Sequence, residues 1–593
     1  MIILDFLTFA AMKNLIPHLK WLPFIGIIAV YIAGWPIEVM DVDASQYASI
    51  AKEMVDRGEY FIVTNKGSNY LDKPPLIFWM GAISYLLFGI STAAFKIPAT
   101  LFAILGMISV YKWSRLYYST ISAYWSSIIF GSSQALFLMT NDVRTDIYLT
   151  SCMAFTMWHL AAYVKLEKWS NLIWGFIGVG LGMLAKGPIA LVLPVLALGP
   201  DIILKRQWRK IFDWKYLVGF LITGIVLSPM IYSLWLQFDS NPDVEVNGLK
   251  GVSGLRFFFW TQSFGRITGE NVWDNNPARF FLLESTAWAL LPYTLLIIPA
   301  WIYKIRIIIK YNFHLSPNEQ TVGFWGFTLG LLALSQSHYQ LPHYAFVCYP
   351  FAAIMMGNWV FETFEKFRLP AHILWLRYVQ LFICMILWVV GFGLVFYVFP
   401  IVEWWVIVLA FIPFGFSIYY VTKKEDRYNF MKISALTGIG INLLLSLHFY
   451  PNLMRYQSTV KVGRYMTALK ERKNISEEKY ITFLTDIPHS LDFYSGKNVK
   501  YTVLNVEAFA DYPEGDTLWV YTNEKGFSLL KERRYVMNIL QKVPHYDVQF
   551  LSSDFLNPRT RPLVVKDRYL LELVIKRKSI LDDYKLEQFN QNE

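Results

Sequence analysis

Two aspartates and two lysines stand where this apolar chain can least tolerate charge: Asp43, Lys73, Asp146 and Lys186. Charges held at the edge of a bilayer are costly, and their retention marks a functional site by default. An ammonium there can hold a lipid phosphate. A carboxylate beside it can take a proton from an acceptor group. The pairing points to chemistry on a phospholipid-linked substrate. The densest part is a polar island from Asp41 to Pro75, which holds Asp43 and the run Tyr70-Leu71-Asp72-Lys73-Pro74-Pro75. The two prolines fix an extended lead into the next helix. They would hold Lys73 at headgroup level.

Each residue also has a plainer explanation. Asp43 could only cap a helix, since Asp is a favoured N-cap. Lys73 could be a lysine snorkelling from a helix start. Lys186 interrupts Gly182-Met183-Leu184-Ala185-Lys186-Gly187-Pro188 and could merely mark a turn. Asp142, Arg144 and Asp146 fall at a tight turn; Asp146 is the hardest to dismiss, and it calls for a partner in Arg144 or Lys186. Arg256, Phe258, Trp260, Gln262 and Arg266 mix aromatic and basic types, which suits an interfacial belt, with Arg266 and Glu270 spaced as an i,i+4 pair. The stretch from Ser335 to Pro350 carries His338 and His343, which raise a divalent metal as a candidate cofactor.

The elements that must position these residues are membrane helices. Hydrophobic residues make up 55% of the 593 and charged residues only 17%, against about 25% charged in soluble domains. The apolar residues come in blocks of roughly 18 to 25, long enough to span a hydrocarbon core. The net charge of +10 is scattered over short loops, so it argues for membrane orientation and not for nucleic acid. Cys152, Cys348 and Cys384 all lie in apolar segments and indicate no disulfide framework. The first apolar segment lacks a small-residue cleavage site and reads as a retained helix.

Thirteen spans are expected, near 19–37, 92–112, 119–139, 143–163, 170–185, 188–204, 216–236, 281–302, 320–336, 343–362, 373–397, 402–421 and 431–449. The short apolar stretch 75–89 is expected to lie along the interface. With a cytoplasmic N-terminus, every loop on the inner side is basic, from Lys112 and Arg115 to Lys423 and Arg427. The long loops 38–91 and 237–280 then fall on the outer side. Counting 75–89 as a span would invert every later loop. The expected fold is therefore an all-α polytopic membrane domain over 1–451, followed by an extracytoplasmic α/β domain over 452–593. Strand-like runs at 480–485, 499–504, 517–521 and 563–575 and a helical run near 457–472 support the second domain.

Together these residues resemble the C-type glycosyltransferases, above all bacterial aminoarabinose transferases of lipid A, relatives of protein O-mannosyltransferases. The resemblance covers roughly 20–360. It rests on Asp43 with Tyr47 and Ala48, on Tyr70, Asp72, Lys73 and Pro74, on Asp146, on Lys186 and Gly187, on Phe258 to Arg266, and on Leu341, Pro342, His343 and Tyr344. Gln340 stands where relatives often carry Lys, and Gln262 where an acidic residue is common.

The resemblance implies a multi-pass enzyme of a bacterial inner membrane that transfers a hexose or pentose from a polyprenyl-phosphate carrier. The acceptor would be a lipid or a protein on the extracytoplasmic face, with inversion at the anomeric carbon. Lys73, Lys186, Tyr70, Tyr344 and Arg266 would hold the carrier phosphate. Asp43 and Asp146 would be catalytic, with Asp72, His338 and His343 as further site candidates. The rival from another class is a flippase for lipid-linked sugars, which would use the same cations without breaking a bond. Such transporters often show internal repeats. None is evident here, and the polar residues cluster on one side of the topology.

Overall fold

The computed structural model describes residues 21–575, apart from 247, 269–274, 276, 317–318, 367–373, 402, 424–426, 474–478 and 497–498. It is a helical bundle with a small sheet domain after it. Among the described residues seven helices are long and apolar enough to cross a membrane, from Thr92–Tyr117 and Thr145–Leu166 to Asn429–Tyr456. Shorter apolar helices, among them Leu22–Ala33, Ile189–Leu204 and Val322–Leu334, fall on other expected spans. The chain is thus a multi-pass membrane protein.

Two expected spans are interrupted. The stretch 119–139 divides into Thr120–Gly131 and Gln134–Asn141, with Ser132 and Ser133 between them. Each serine hydroxyl bonds back to a carbonyl of the preceding turn, Ile128 and Phe130, and so competes with the helical ladder. The stretch 281–302 breaks between Phe281–Ala289 and Ile297–Lys310, around Pro292. Proline removes a donor from the ladder and clashes with the preceding turn.

The polar island folds as two helices and a hairpin. Asp43–Arg57 buries Tyr47, Ile50, Ala51 and Met54 along one face and ends on Gly58 at φ +68°. That face packs on Leu76–Phe88, where the rings of Tyr47 and Phe78 meet edge to face at 5.8 Å. Gly81 permits the contact, because a Cβ there would stand 2.9 Å from the Ala51 Cβ. The last turn of Leu76–Phe88 leaves Leu86, Leu87 and Phe88 exposed. Strands β1 (Thr64–Asn65) and β2 (Ser68–Asn69) pair antiparallel across Lys66 and Gly67, both at positive φ, which suits a tight hairpin. Gln237 clamps this hairpin, accepting from the Val63 N–H at 2.9 Å and donating to the Val63 carbonyl and Asn69 Oδ1.

Lys96 was missed by the sequence reading. It is fully buried and donates to the carbonyls of Gly34 at 3.0 Å and Ile37 at 2.6 Å. These carbonyls follow Leu22–Ala33, so Lys96 satisfies the end of that helix. A lone lysine among apolar neighbours was the available signal.

After a short pair, β3 (Glu245–Val246) with β4 (Leu249–Lys250), the second domain holds one five-stranded sheet. Its strands are β5 (Tyr480–Phe483), β6 (Lys500–Thr502), β7 (Thr517–Asn523), β8 (Val536–His545) and β9 (Lys566–Val574), in the order β6-β5-β7-β9-β8. β5 runs parallel to β6 and β7, whereas β9 is antiparallel to β7 and β8. Along β7 the side chains alternate as a strand requires. Trp519 and Tyr521 face Val462 and Met466 of helix Ser458–Lys473, while Leu518 and Val520 face Leu530 of helix Glu524–Glu532. The domain meets the bundle through Ile37, Met40, Phe399, Phe449, Val548 and Phe555.

Candidate functional site

A cavity of about 420 Å³ opens where the polar island meets the helix ends. Asp43, Lys73, Asp146 and Lys186 all line it, although they come from four separate segments. Leu149, Val192, Met230, Leu234, Phe258 and Val347 form its apolar wall. A polar end with an apolar wall suits an amphipathic ligand with a charged head.

Asp43 is the first residue of its helix, but it makes no capping hydrogen bond. Its carboxylate instead accepts from Arg144 Nη1 at 2.7 Å. Arg144 also donates from Nε to Asp142 at 2.8 Å, so the Asp142–Arg144 turn acts as a brace for Asp43. The carboxylates of Asp43 and Asp142 together offset the charge of this partly buried guanidinium. The Asp43 side chain is 37% exposed and open to a ligand.

Asp146 is different. It is 2% exposed and forms a direct ion pair with Lys186. His343 Nε2 lies 3.8 Å away on its other oxygen. Of the two expected partners for Asp146, Lys186 is the one found; Arg144 turns to Asp43. Lys186 closes helix Trp169–Lys186, and its ammonium stands 4.2 Å from the centre of the Tyr344 ring. Gly187 follows at φ +96°, a conformation that ends the helix and favours glycine.

Lys73 pairs with Asp72 at 2.7 Å, and Pro75 precedes helix Leu76–Phe88. Gln262 donates to both the carboxylate and the carbonyl of Asp72 at 2.9 Å. An amide here neutralises no charge and leaves the Asp72–Lys73 pair intact. Gln340 is buried and not among the lining residues, and donates to the carbonyls of Ser335 and Ser337.

Other expected residues are placed elsewhere. Tyr70 is not among the lining residues; its ring meets Phe78 edge to face at 5.7 Å. Burial, reinforced by Asp72, pushes its phenol well above the usual value, and burial with Asp43 does the same for the cavity-lining Tyr47. His338 is exposed and outside the lining. Arg266 falls in Gly265–Thr268, with its side chain outside the described residues, as is Glu270. Among the described residues no group of three or more His, Cys, Asp or Glu is gathered as a metal would need. Asp146 with His343 is a short donor set for a divalent ion, and its carboxylate is already paired with a lysine.

Fold and cavity together resemble those of the polytopic C-type glycosyltransferases. Residues 72–233 match the family described as dolichyl-phosphate-mannose-protein mannosyltransferase. The crystal structure of ArnT from Cupriavidus metallidurans bound to undecaprenyl phosphate superposes with a TM-score of 0.72 at 14% identity. The match covers 94% of this chain and 98% of that one. The chain therefore has the ArnT fold. In sequence it is 26% identical over 341 residues to the undecaprenyl phosphate-alpha-4-amino-4-deoxy-L-arabinose arabinosyl transferase of Shewanella sediminis, covering 55% of this chain and 56% of the relative. A protein of the same description from Pseudomonas fluorescens is 27% identical over 336 residues, covering 53% and 51%. The chain thus spans little more than half the length of the curated relatives it matches.

Proposed function

We propose that this protein is an integral membrane glycosyltransferase that moves a sugar from a polyprenyl-phosphate carrier to a lipid or protein acceptor on the extracytoplasmic face. The observation that carries the reading is the shared cavity, in which two lysines and an exposed carboxylate line one polar end above an apolar wall. The fold shared with a transferase bound to undecaprenyl phosphate supports it.

In this scheme Lys73 and Lys186 receive the carrier phosphate, and Tyr344 holds the Lys186 ammonium from its ring face. Asp146 orients Lys186; buried behind that lysine, it is poorly placed to reach an acceptor. Tyr70 would support the phosphate end from outside the cavity lining, and Arg266 is assigned to the same phosphate. Asp43, held by Arg144, takes the proton of the acceptor hydroxyl as its oxygen attacks the anomeric carbon. The bond from that carbon to the phosphate oxygen breaks, and the polyprenyl phosphate leaves with its charge neutralised by the lysines. Attack opposite the leaving phosphate inverts the anomeric centre.

The membrane arrangement belongs to the same proposal. Thirteen crossings with a cytoplasmic N-terminus put the cavity and the sheet domain outside, in a bacterial inner membrane. The bundle would occupy 1–451 and the outer domain 452–593. The alternation of basic loops supports this orientation.

The test is transfer by the purified chain from an undecaprenyl-phosphate sugar to lipid and hydroxyl acceptors, read as one added sugar mass. Absence of transfer with any carrier, together with movement of a labelled lipid-linked sugar across a vesicle, would establish the flippase instead. Chelation followed by added magnesium or manganese tests the metal: activity lost and restored would require one.

A further inference from the structure

Val42, the residue before helix Asp43–Arg57, makes no side-chain cap, and the segment leading into the helix is held mainly by partners from elsewhere. The partners come from the second domain, more than four hundred residues later in the chain. Asp41, two residues before Asp43, accepts from the Ser490 N–H at 2.7 Å, from Ser490 Oγ at 2.5 Å and from Ser45 Oγ at 2.6 Å. Gln457 accepts from the Asp41 N–H at 3.0 Å and donates to the Val39 carbonyl at 2.9 Å. The Val39 N–H donates to the Tyr494 hydroxyl at 2.7 Å. Residues 39–41 belong to no helix or strand, and their polar groups need partners from elsewhere. Ser490, Tyr494 and Gln457 supply them.

The grip extends along the island. Asp492 pairs with Lys66 at 2.8 Å, and the Gly496 carbonyl accepts from Lys52 at 2.6 Å. Ser490, Asp492 and Tyr494 all lie on one short helix, His489–Ser495, which forms the crossover between the parallel strands β5 and β6. Such a connection is fixed by the sheet at both ends, so it can act as a rigid clamp. Burial pushes the Asp41 carboxyl up, while the hydrogen bonds from Ser45 and Ser490 oppose that shift. A buried carboxylate stripped of those donors would be costly to keep in place.

We propose that Ser490, acting through Asp41, is a positioning residue for Asp43, so that the outer domain sets the geometry of the candidate base. The proposal rests on the reading of Asp43 as the group that acts on the acceptor. A displacement of about 1 Å at such a group can cost on the order of 10²-fold in rate. The clamp holds the segment that carries Asp43, the group assigned to the acceptor, so turnover should suffer and use of the donor should not.

The experiment uses the full chain in lipid nanodiscs with an undecaprenyl-phosphate sugar. Ser490→Ala should lower kcat by tenfold or more while the KM for the donor stays within twofold. Ser490→Thr, which keeps the hydroxyl, should recover most of the loss, and Asp41→Asn should reproduce the Ser490→Ala defect. Hydrogen exchange is read on the same samples. Backbone amides of residues 38–50 should exchange faster in Ser490→Ala, while those of β5 and β7 stay protected as in the wild type.

With an active wild type, an unchanged kcat in Ser490→Ala would overturn the proposal. So would unchanged exchange at 38–50, an equal rise in the KM for the donor, or a Ser490→Thr variant as impaired as Ser490→Ala. General loss of protection in β5 and β7 in both Ser490→Ala and Asp41→Asn would overturn it too, since the contact would then only hold the domain together. A wild-type chain that transfers no sugar defeats the enzyme reading itself. In that case the exchange at 38–50 still decides whether the clamp exists.

Discussion

Asp43 and Asp146 are carboxylates in the same cavity, and their partners separate their roles. Asp43 is 37% exposed on its side chain and shares Arg144 with Asp142, so a ligand can reach it. Asp146 is sealed against Lys186. Asp43→Asn keeps the size of the side chain but removes the proton acceptor. Transfer to a hydroxyl acceptor should fall by roughly 10²–10⁴, while equilibrium binding of the donor is unchanged. The capping explanation would predict no such loss, because Asn caps about as well as Asp, and the helix start shows no cap from Asp43 in any case. Intact transfer in that variant would remove Asp43 from the reaction. The lysines make a different prediction. Each charge-assisted contact to phosphate is worth about 1.5–3 kcal/mol. Lys73→Ala and Lys186→Ala should therefore each weaken donor binding roughly ten- to hundredfold. Titration of a labelled donor onto the purified variants checks this, and wild-type affinity in both would reject the phosphate assignment.

The helices around the cavity were largely legible, because an apolar run and a basic loop are local properties of a chain. What was lost depends on contacts between distant segments. The sequence offered both Arg144 and Lys186 as partners for Asp146, and only the packing of the Asp142–Arg144 turn against helix Asp43–Arg57 decides between them. Strand β8 was missed because it is a sheet edge with an irregular exposure pattern, a bulge between Ile539 and Gln541, and a proline at 544. The serine and proline breaks were hidden because the apolar character runs on through them. Gly81 shows how closely the island's helices are matched. A Cβ at Gly81 would meet the Ala51 Cβ at 2.9 Å and the Phe95 ring at 3.4 Å. Gly81→Ala should overpack this contact and cost about 1–3 kcal/mol, lowering the thermal midpoint and displacing helix Asp43–Arg57. Adding Ala51→Gly should restore much of the loss. A melting curve of the single variant identical to the wild type would show that the two helices are not held by this contact.

At the scale of the whole molecule, one choice of sidedness must place the cavity, the sheet domain and the basic loops together. The cavity is built from segments around 43–75, 144–149, 186–192, 230–237, 257–264 and 333–347. In the thirteen-span map these all fall in, or at the ends of, loops on the side opposite the basic ones. The sheet domain shares that side, because its Ser490 and Tyr494 reach residues 39–41 directly. Cavity and domain therefore cannot be assigned to opposite faces, and a single labelling experiment tests the arrangement. The three native cysteines are all buried and give a quiet background. Single cysteines at the exposed positions Asp243, Glu514 and Lys168 report the two sides. In intact spheroplasts a membrane-impermeant maleimide should modify Asp243→Cys and Glu514→Cys, and should reach Lys168→Cys only after the membrane is opened. Labelling of all three before lysis would show that the spheroplasts leak, so a periplasm-free cytoplasmic marker is followed in parallel. With that marker protected, early modification of Lys168→Cys and protection of the other two would invert the protein in its membrane. The cavity would then face the cytoplasm, and the donor would have to be drawn from the inner leaflet.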